Sequence, residues 1–255
     1  MDATTTSTTA VPVTTTINVT TAAPTSTSRA VTSSTAPPAT LPAQAVVEQR
    51  TIGTSVGGRA IVALHKPGST QAAHRVLVVG EIHGEEPAGR TVVAQLVAMH
   101  IPESVDLWLI PTVNPDGGAI GRRTNDHGVD LNRNFPTRWE APGGPNTSNE
   151  HNSGSGPASE PETQGVMAFI ASVHPDVTIW YHQPYHWVDC DQLAMAACKP
   201  YSALVGYAIT HQDLPGTATD WEITNGYGMA FVVEFSVGAI SSSTAARHAN
   251  AAVSV

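Results

Sequence analysis

The stretch Arg75-Val76-Leu77-Val78-Val79-Gly80-Glu81-Ile82-His83-Gly84-Glu85-Glu86 joins an apolar run directly to a group of ionisable residues. A short, continuous apolar run is typical of a strand that is buried on both faces of a sheet. A tight turn at Gly84 would direct the imidazole of His83 and the carboxylate of Glu86 toward one point. The stretch therefore predicts a buried strand with a functional site at its end.

Further strands and helices alternate along the chain on both sides of this stretch. The periodicity and the turn residues predict strands at 46–52, 59–64, 106–113, 177–181 and 229–233, and helices at 87–99, 159–173, 199–211 and 218–225. The first two strands flank Gly57-Gly58, which favours an antiparallel hairpin. This alternation predicts an α/β fold, a mixed-sheet α/β/α sandwich whose functional residues lie at strand ends.

Two local patterns lie in or near a long polar region at 114–158. Asn114-Pro115-Asp116-Gly117 is a turn signal that closes the preceding strand, and we expect it to be scaffolding. Ser159 followed by Glu162 fits a capping box at the start of a helix. Long irregular regions in compact domains are usually functional, so residues 114–158 are expected to contribute to the site.

Composition divides the chain into two regions. Thr, Ala, Ser and Pro make up 34 of residues 1–45, which predicts a disordered low-complexity spacer before a globular domain at 46–255. The 12 Lys and Arg against 21 Asp and Glu give a net charge of −9, so no basic excess is available for nucleic acid. No apolar run reaches the ~18 residues of a membrane span, and no signal peptide is visible.

The spacer composition predicts an extracellular protein, because such tracts are usual outside the cell. Cys190 and Cys198 either form one disulfide or remain two unrelated thiols, and the sequence leaves both readings open. It also leaves the oligomeric state open.

Ligand-type residues occur where buried strands end. His83 and Glu86, joined by His182 from a later strand, would form the two-histidine, one-carboxylate set that catalytic zinc uses with water at the open position. Glu85 is an alternative to Glu86 as the carboxylate ligand. His186 competes with His182, but His182 directly follows its apolar strand and is favoured.

A series of motifs runs in a fixed order across residues 79–237. His83-x-x-Glu86 is followed by Asn-Pro-Asp-Gly, Arg123-Thr124-Asn125 and the run Asp130-Leu-Asn-Arg-Asn-Phe-Pro136, and then by a strand-end His and a late strand-end Glu. This order resembles the zinc carboxypeptidase family. The resemblance implies that fold, and one Zn²⁺ per chain held by His83, Glu86 and His182.

The resemblance also implies roles for five other residues. Glu234 matches the catalytic glutamate that takes a proton from the attacking water, although a buried ion pair with an Arg is the alternative. Arg123, rather than Arg122, matches the arginine that stabilises the oxyanion. Three substrate-binding residues complete the set: Asn132 and Arg133 for the free carboxylate, and Thr219 for the substrate side chain. An ion pair between Asp130 and Arg133 is the structural alternative for Arg133.

Departures from the animal digestive enzymes concern the substrate. Gln212 stands near the position of their substrate-closing tyrosine, which leaves Tyr207 and Tyr227 as unassigned candidates for that role. Thr219 is small and neutral, so it favours neither a strongly apolar nor a basic substrate side chain.

The short chain, with its Asp130–Pro136 run, the 159–163 helix start and the stretch 216–221, is more similar to the bacterial murein peptide amidase branch. That resemblance implies hydrolysis of γ-D-glutamyl-diaminopimelate bonds in muropeptides and a cell-wall-associated protein.

Three other functions fit parts of the pattern. A conventional carboxypeptidase would use the same catalytic residues on ordinary peptides. An N-acyl amino acid hydrolase of the aspartoacylase type shares some motifs, but the intact Asn-Pro-Asp-Gly argues against it. A zinc-dependent binding protein for peptide termini would need neither Glu234 nor Arg123.

Overall fold

The computed structural model describes residues 47–69, 74–145 and 151–255. All of these residues fall in one compact unit, Ala43–Val255. The spacer predicted for residues 1–45 lies outside the described residues. Within the part that the structure describes, no helix combines the length and apolar character needed to cross a membrane.

The described residues form a mixed sheet of eight strands with the order β1-β2-β4-β3-β5-β8-β6-β7. The strands are β1 (Glu48–Thr54), β2 (Ala60–Lys66), β3 (His74–Val79), β4 (Val105–Ile110), β5 (Val177–His182), β6 (Tyr185–Cys190), β7 (Ala208–Thr210) and β8 (Met229–Ser236). The helices are α1 (Ala88–Ala98), α2 (Pro115–Ile120), α3 (Pro161–Val173), α4 (Met195–Val205), α5 (Ala218–Thr224) and α6 (Ser242–Ala252).

The four central strands, β4, β3, β5 and β8, are parallel. Helices α1, α4 and α6 pack on one face of the sheet, and α3 and α5 pack on the other. Every residue of β5 is buried because helices cover both faces of the sheet at that strand. The predicted α/β/α sandwich is confirmed, as is the antiparallel pairing of β1 with β2.

Asn114-Pro115-Asp116-Gly117 begins a short helix instead of forming a simple turn. The Asn114 Oδ1 atom accepts a hydrogen bond from the Gly117 N–H at 2.9 Å and caps α2. The Asn114 side-chain amide also donates to the Arg123 carbonyl at 3.1 Å. The segment is therefore scaffolding that holds the Arg123 loop.

The predicted capping box at α3 is wrong. Glu160 is the N-cap residue, and the Ser159 hydroxyl donates to the Glu160 carboxylate at 2.7 Å. Glu162 accepts hydrogen bonds from the Val56 N–H at 2.9 Å and from the Asn125 side chain at 3.1 Å. Glu162 is buried, so its carboxylate bonds to distant donors instead of closing the local motif.

The region around residue 200 differs most from the prediction. Helix α4 begins at Met195 and ends before Gly206, whose φ of 78° is readily adopted only by glycine, and the strand β7 follows. Strands β6 and β7 and helix α6 were not predicted. A disulfide joins Cys190 at the end of β6 to Cys198 in α4.

Candidate active site

His83 and Glu86 lie in the turn that follows β3. Gly84 between them packs against the backbone of α2, where a Cβ atom on residue 84 would lie 2.1 Å from the Gly117 carbonyl carbon. Only glycine allows this approach. The close packing fixes the turn, and both side chains are buried beside each other.

His182 and Glu234 come from the ends of neighbouring parallel strands. They are direct register partners on β5 and β8, and β5 also pairs with β3. Because the carboxyl ends of parallel strands meet at one edge of a sheet, three chain segments deliver polar side chains to the same place. His182 is 4% exposed and Glu234 is 8% exposed.

Two imidazoles and one carboxylate converge at this edge. The Nδ1 atom of His83 lies 2.9 Å from Glu86 Oε1, and the Nδ1 atom of His182 lies 2.9 Å from Glu86 Oε2. The two Nδ1 atoms are 3.2 Å apart. These spacings suit atoms that share one Zn²⁺, whose nitrogen and oxygen ligands lie about 2.0–2.2 Å from the ion. The donor set therefore fits the implied metal.

Burial and neighbouring charges act in opposite directions on all three residues. Burial alone would lower the pKa of His83, but the carboxylates of Glu86 and Asp130 raise it above the ordinary value. Burial alone would raise the pKa of the Glu86 carboxyl, but the two imidazoles hold it well below its ordinary value. Burial lowers the pKa of His182. An ionised carboxylate and a neutral His182 are the protonation states that a divalent cation needs.

Asp130 supports this cluster and was not recognised as a functional residue from the sequence. Its Oδ1 atom lies 3.0 Å from His83 Nε2. With a proton on Nε2, His83 donates to Asp130 and its Nδ1 lone pair faces Glu86 and His182. Burial opposes ionisation of Asp130, but His83 and Arg123 hold its pKa below the ordinary value. In the sequence, the one feature that marks Asp130 is its position as the first residue of the Asp-Leu-Asn-Arg run.

Arg123 faces the cluster, whereas Arg122 does not. The Arg123 Nε–H donates to Asp130 Oδ2 at 2.9 Å, and its terminal nitrogen lies 3.2 Å from Glu86 Oε1. Arg122 instead donates to the carboxylate of Asp126 at 2.8 Å. Arg123 therefore presents a held cation to the site.

Arg133 and Asn132 line a cavity of about 900 Å³ that opens beside the cluster. The predicted alternative, an Asp130–Arg133 ion pair, does not form, because Asp130 bonds to His83 and Arg123. Among the described residues, no carboxylate lies within ion-pair distance of Arg133, although this side chain is buried. Its guanidinium donates to the Asn132 carbonyl at 2.7 Å.

Glu234 lines the same cavity. Burial raises the pKa of its carboxyl to about 7, and the nearby Glu86 carboxylate adds to the increase. Its Oε2 atom is buried and has no hydrogen-bond partner among the described residues. Among the described residues, no Arg forms an ion pair with Glu234, so the alternative prediction of a buried ion pair does not hold.

The two rival ligands lie away from the cluster. Glu85 is half exposed and approaches Arg123 only to 3.9 Å. The ring of His186 packs on Tyr207 with centroids 4.0 Å apart, and its Nδ1 atom lies 3.0 Å from the Ser236 hydroxyl. Neither residue belongs to the group of three that could hold a metal.

Thr219 lies in the first turn of α5 and lines the cavity. Gln212, which precedes α5, also lines the cavity. Tyr207 and Tyr227 are packed elsewhere, against His248 and Trp221 respectively. Tyr185 was missed because β6 was missed; it is 54% exposed and lines the cavity.

Comparison with known sequences identifies one family. Residues 43–188 match the zinc carboxypeptidase family. The chain is 35% identical over 103 residues to carboxypeptidase SOL1 of Arabidopsis thaliana, covering 34% of this chain and 21% of that protein. It is 28% identical over 190 residues to murein peptide amidase A of Escherichia coli K12, covering 66% of this chain and 74% of that protein.

Solved structures share the fold. The murein-tripeptide amidase of Escherichia coli O157 aligns with a TM-score of 0.65 and 22% identity, covering 83% of this chain and 92% of that one. Bovine thrombin-activatable fibrinolysis inhibitor aligns with a TM-score of 0.67 and 20% identity, covering 81% and 86%.

Proposed function

This chain belongs to the zinc carboxypeptidase family, and on that premise we propose that it hydrolyses the γ-D-glutamyl-diaminopimelate amide bond of murein peptides. In general terms, the scissile amide is the one next to a residue with a free carboxylate. The observation that carries this proposal is the buried Arg133 guanidinium, which faces the cavity beside the His83, Glu86 and His182 cluster without a carboxylate partner among the described residues.

Arg133 and Asn132 would bind the free carboxylate of the substrate. A guanidinium matches a carboxylate with two parallel hydrogen bonds, so it fixes the orientation of the substrate as well as binding it. The Asn132 Oδ1 atom already accepts from the Ala218 N–H at 3.0 Å, so the side-chain amide is held in place and its NH₂ group remains to donate. Binding the carboxylate here brings the adjacent amide bond toward Glu234.

His83, Glu86 and His182 would hold the zinc ion. When bound, Zn²⁺ supplies polarisation of the scissile carbonyl and a lowered pKa of water. Glu234 takes the proton of the attacking water and gives it to the leaving amine, and the raised pKa of its carboxyl suits both steps. Arg123 donates to the carbonyl oxygen as negative charge develops there.

Three observations favour a cell-wall substrate and an extracellular or cell-wall location. The similarity to murein peptide amidase A extends over 74% of that enzyme. The Cys190–Cys198 disulfide is the kind of bond that persists in oxidising compartments. The Thr- and Pro-rich composition of residues 1–45 suits a spacer at a cell surface.

A conventional carboxypeptidase activity is the second candidate. It is favoured by the 35% identity to carboxypeptidase SOL1 over 103 residues. The same residues would then release C-terminal amino acids from ordinary peptides.

Product analysis separates the two candidates. The purified protein is incubated with purified muropeptides and, separately, with ordinary peptides, with and without a metal chelator. We expect mass spectrometry to detect release of diaminopimelate-containing products from the muropeptides and loss of that release with chelator. Release from ordinary peptides alone would reject the murein substrate, and chelator-resistant hydrolysis would reject the zinc mechanism.

A further inference from the structure

Asp189 lies on the same face of the sheet as Glu234. Strand β6 pairs antiparallel with β8, so that Trp187 is opposite Glu234 and Asp189 is opposite Val232. Side chains two residues apart on a strand point to the same face, at a distance of about 7 Å along the strand. Asp189 and Glu234 both line the cavity.

The Asp189 carboxylate has few partners. Its Oδ1 atom accepts a hydrogen bond from the Gln212 N–H at 2.8 Å, and the Nδ1 atom of His211 lies 3.7 Å away. Within the described ranges, no Lys or Arg pairs with it, and the side chain is 17% exposed. Burial raises the pKa of its carboxyl above the ordinary value. Mostly buried carboxylates are normally paired with a cation, and among the described residues the half-exposed His211 imidazole is the one basic group that approaches Asp189.

Besides Asp189 and Glu234, three acidic residues line the cavity, and all three are already accounted for. Glu86 belongs to the metal cluster. The Asp213 carboxylate is 74% exposed and pairs with Arg138 at 2.5 Å. Glu85 lies on the metal side, near Arg123. Asp189 is therefore the acidic group best suited to receive a cation from a ligand in the cavity.

Resting on the function proposed above, we propose that Asp189 is a specificity-determining residue that binds the side-chain ammonium group of the amino acid released by hydrolysis. The substrate class is an amide whose leaving amino acid carries an amine on a distal carbon of its side chain, as in lysine or diaminopimelate. An ammonium group on a flexible four-carbon stem is a compact cation suited to one carboxylate. Arg133 would bind the α-carboxylate of the same amino acid, so the cavity would match that carboxylate and the side-chain ammonium.

With Asp189 in this role, a residue on β6 selects the side chain of the substrate, instead of Thr219 on α5. Thr219 lies in the same cavity but carries no charge, so it supplies room and a hydroxyl group without opposing or attracting an ammonium. A neutral Thr219 is therefore compatible with a basic substrate, because Asp189 supplies the negative charge.

The test compares two peptide substrates that differ only in one charge. Both have the same acyl residue, and one ends in lysine and the other in norleucine. A charge-assisted hydrogen bond predicts a wild-type kcat/KM at least roughly tenfold higher for lysine. Asp189→Asn keeps an oxygen acceptor for the Gln212 N–H and should remove that preference, whereas the control Asp213→Asn should retain it. An equal loss on both peptides, or no preference in the wild type, would overturn the assignment.

A second variant tests the assignment even if Asp189→Asn fails to fold. Asp189→Glu keeps the charge and lengthens the side chain by one carbon, so the preference should shift from lysine toward the shorter ornithine. An unchanged preference for lysine over ornithine in a folded Asp189→Glu variant would contradict a direct contact.

Binding measurements separate this inference from the proposed function. If the zinc-loaded protein hydrolyses no peptide or muropeptide, the proposed function fails. Calorimetry with free L-lysine and L-norleucine then still tests Asp189. Lysine should bind the wild type roughly tenfold more tightly than it binds Asp189→Asn, and equal affinities would reject the assignment.

Discussion

The Nε2 atom of His83 lies 3.0 Å from the Oδ1 atom of Asp130, on the side of the imidazole opposite Glu86 and His182. This carboxylate fixes the ring orientation and raises the basicity of Nδ1. Asp130 also accepts from Arg123, so one buried side chain supports both a metal ligand and the nearby cation.

Removal of the Asp130 charge should weaken zinc binding. We expect Asp130→Asn to lower zinc affinity by roughly ten- to a hundredfold, as measured by competition with a chromophoric chelator. Asp126→Asn on the same loop, which removes only the surface partner of Arg122, is the matched control. Wild-type zinc affinity in a folded Asp130→Asn protein would contradict a supporting role.

Glu234→Gln should separate metal binding from turnover. Because Glu234 is not one of the three metal-cluster residues, the variant should retain zinc near one ion per chain. Loss of the proton acceptor should reduce kcat by about 10²–10⁴-fold. Metal analysis and steady-state kinetics on the same preparation check this. Retained activity would refute the general-base role.

His182→Ala should lose the metal, whereas His186→Ala should keep it. His182 Nδ1 lies in the cluster, but the His186 ring packs on Tyr207 outside it. Zinc content after dialysis of the two purified variants measures the difference. The reverse result would exchange the ligand assignment between the two histidines.

Arg133→Ala should mainly weaken binding of substrates with a free carboxylate. Loss of a charge-assisted interaction predicts a fall in kcat/KM of roughly ten- to a hundredfold for the free acid. The corresponding substrate with an amidated terminus should already be poor for the wild type, and the mutation should change it little. An equal decrease on both substrates would indicate a structural effect instead of carboxylate recognition.

The pH dependence of activity should have an acidic limb that reflects Glu234. Burial raises the pKa of this carboxyl to about 7, and only the ionised form accepts a proton. Activity should therefore be present above that pKa and be lost as the pH falls through it. A bound cation favours the charged carboxylate, so the limb of the zinc enzyme should lie at or below about pH 7. A profile of kcat/KM whose acidic limb lies above pH 7 would conflict with this assignment.

Residues at strand ends could be located from the sequence because an abrupt change from apolar to polar residues marks where a buried strand stops. His83, His182 and Glu234 all follow such runs, and the structure brings them to one edge of the sheet. Asp130 could not be placed in this way, because its bond to His83 spans 47 residues and depends on the path of an irregular loop. The capping box failed for the same physical reason, since Glu162 bonds to distant residues.

Asp189 was missed because β6 was missed. This strand carries Tyr185, His186 and Trp187 in succession, with exposed and half-buried positions, and lacks the apolar run that marks β3 and β5. Its pairing with β8 is a long-range contact that local patterns do not reveal.

The sheet order places the proposed specificity residue on a different strand from the residues assigned to hydrolysis. The residues assigned to the metal and to proton transfer follow β3, β5 and β8, which are locked between helical layers, whereas Asp189 lies on β6, next to the outermost strand. Mutations on an outer strand disturb fewer packed neighbours than mutations at the centre of a core. A substitution of Asp189 should therefore alter substrate preference while the packing around the metal and proton-transfer residues stays in place.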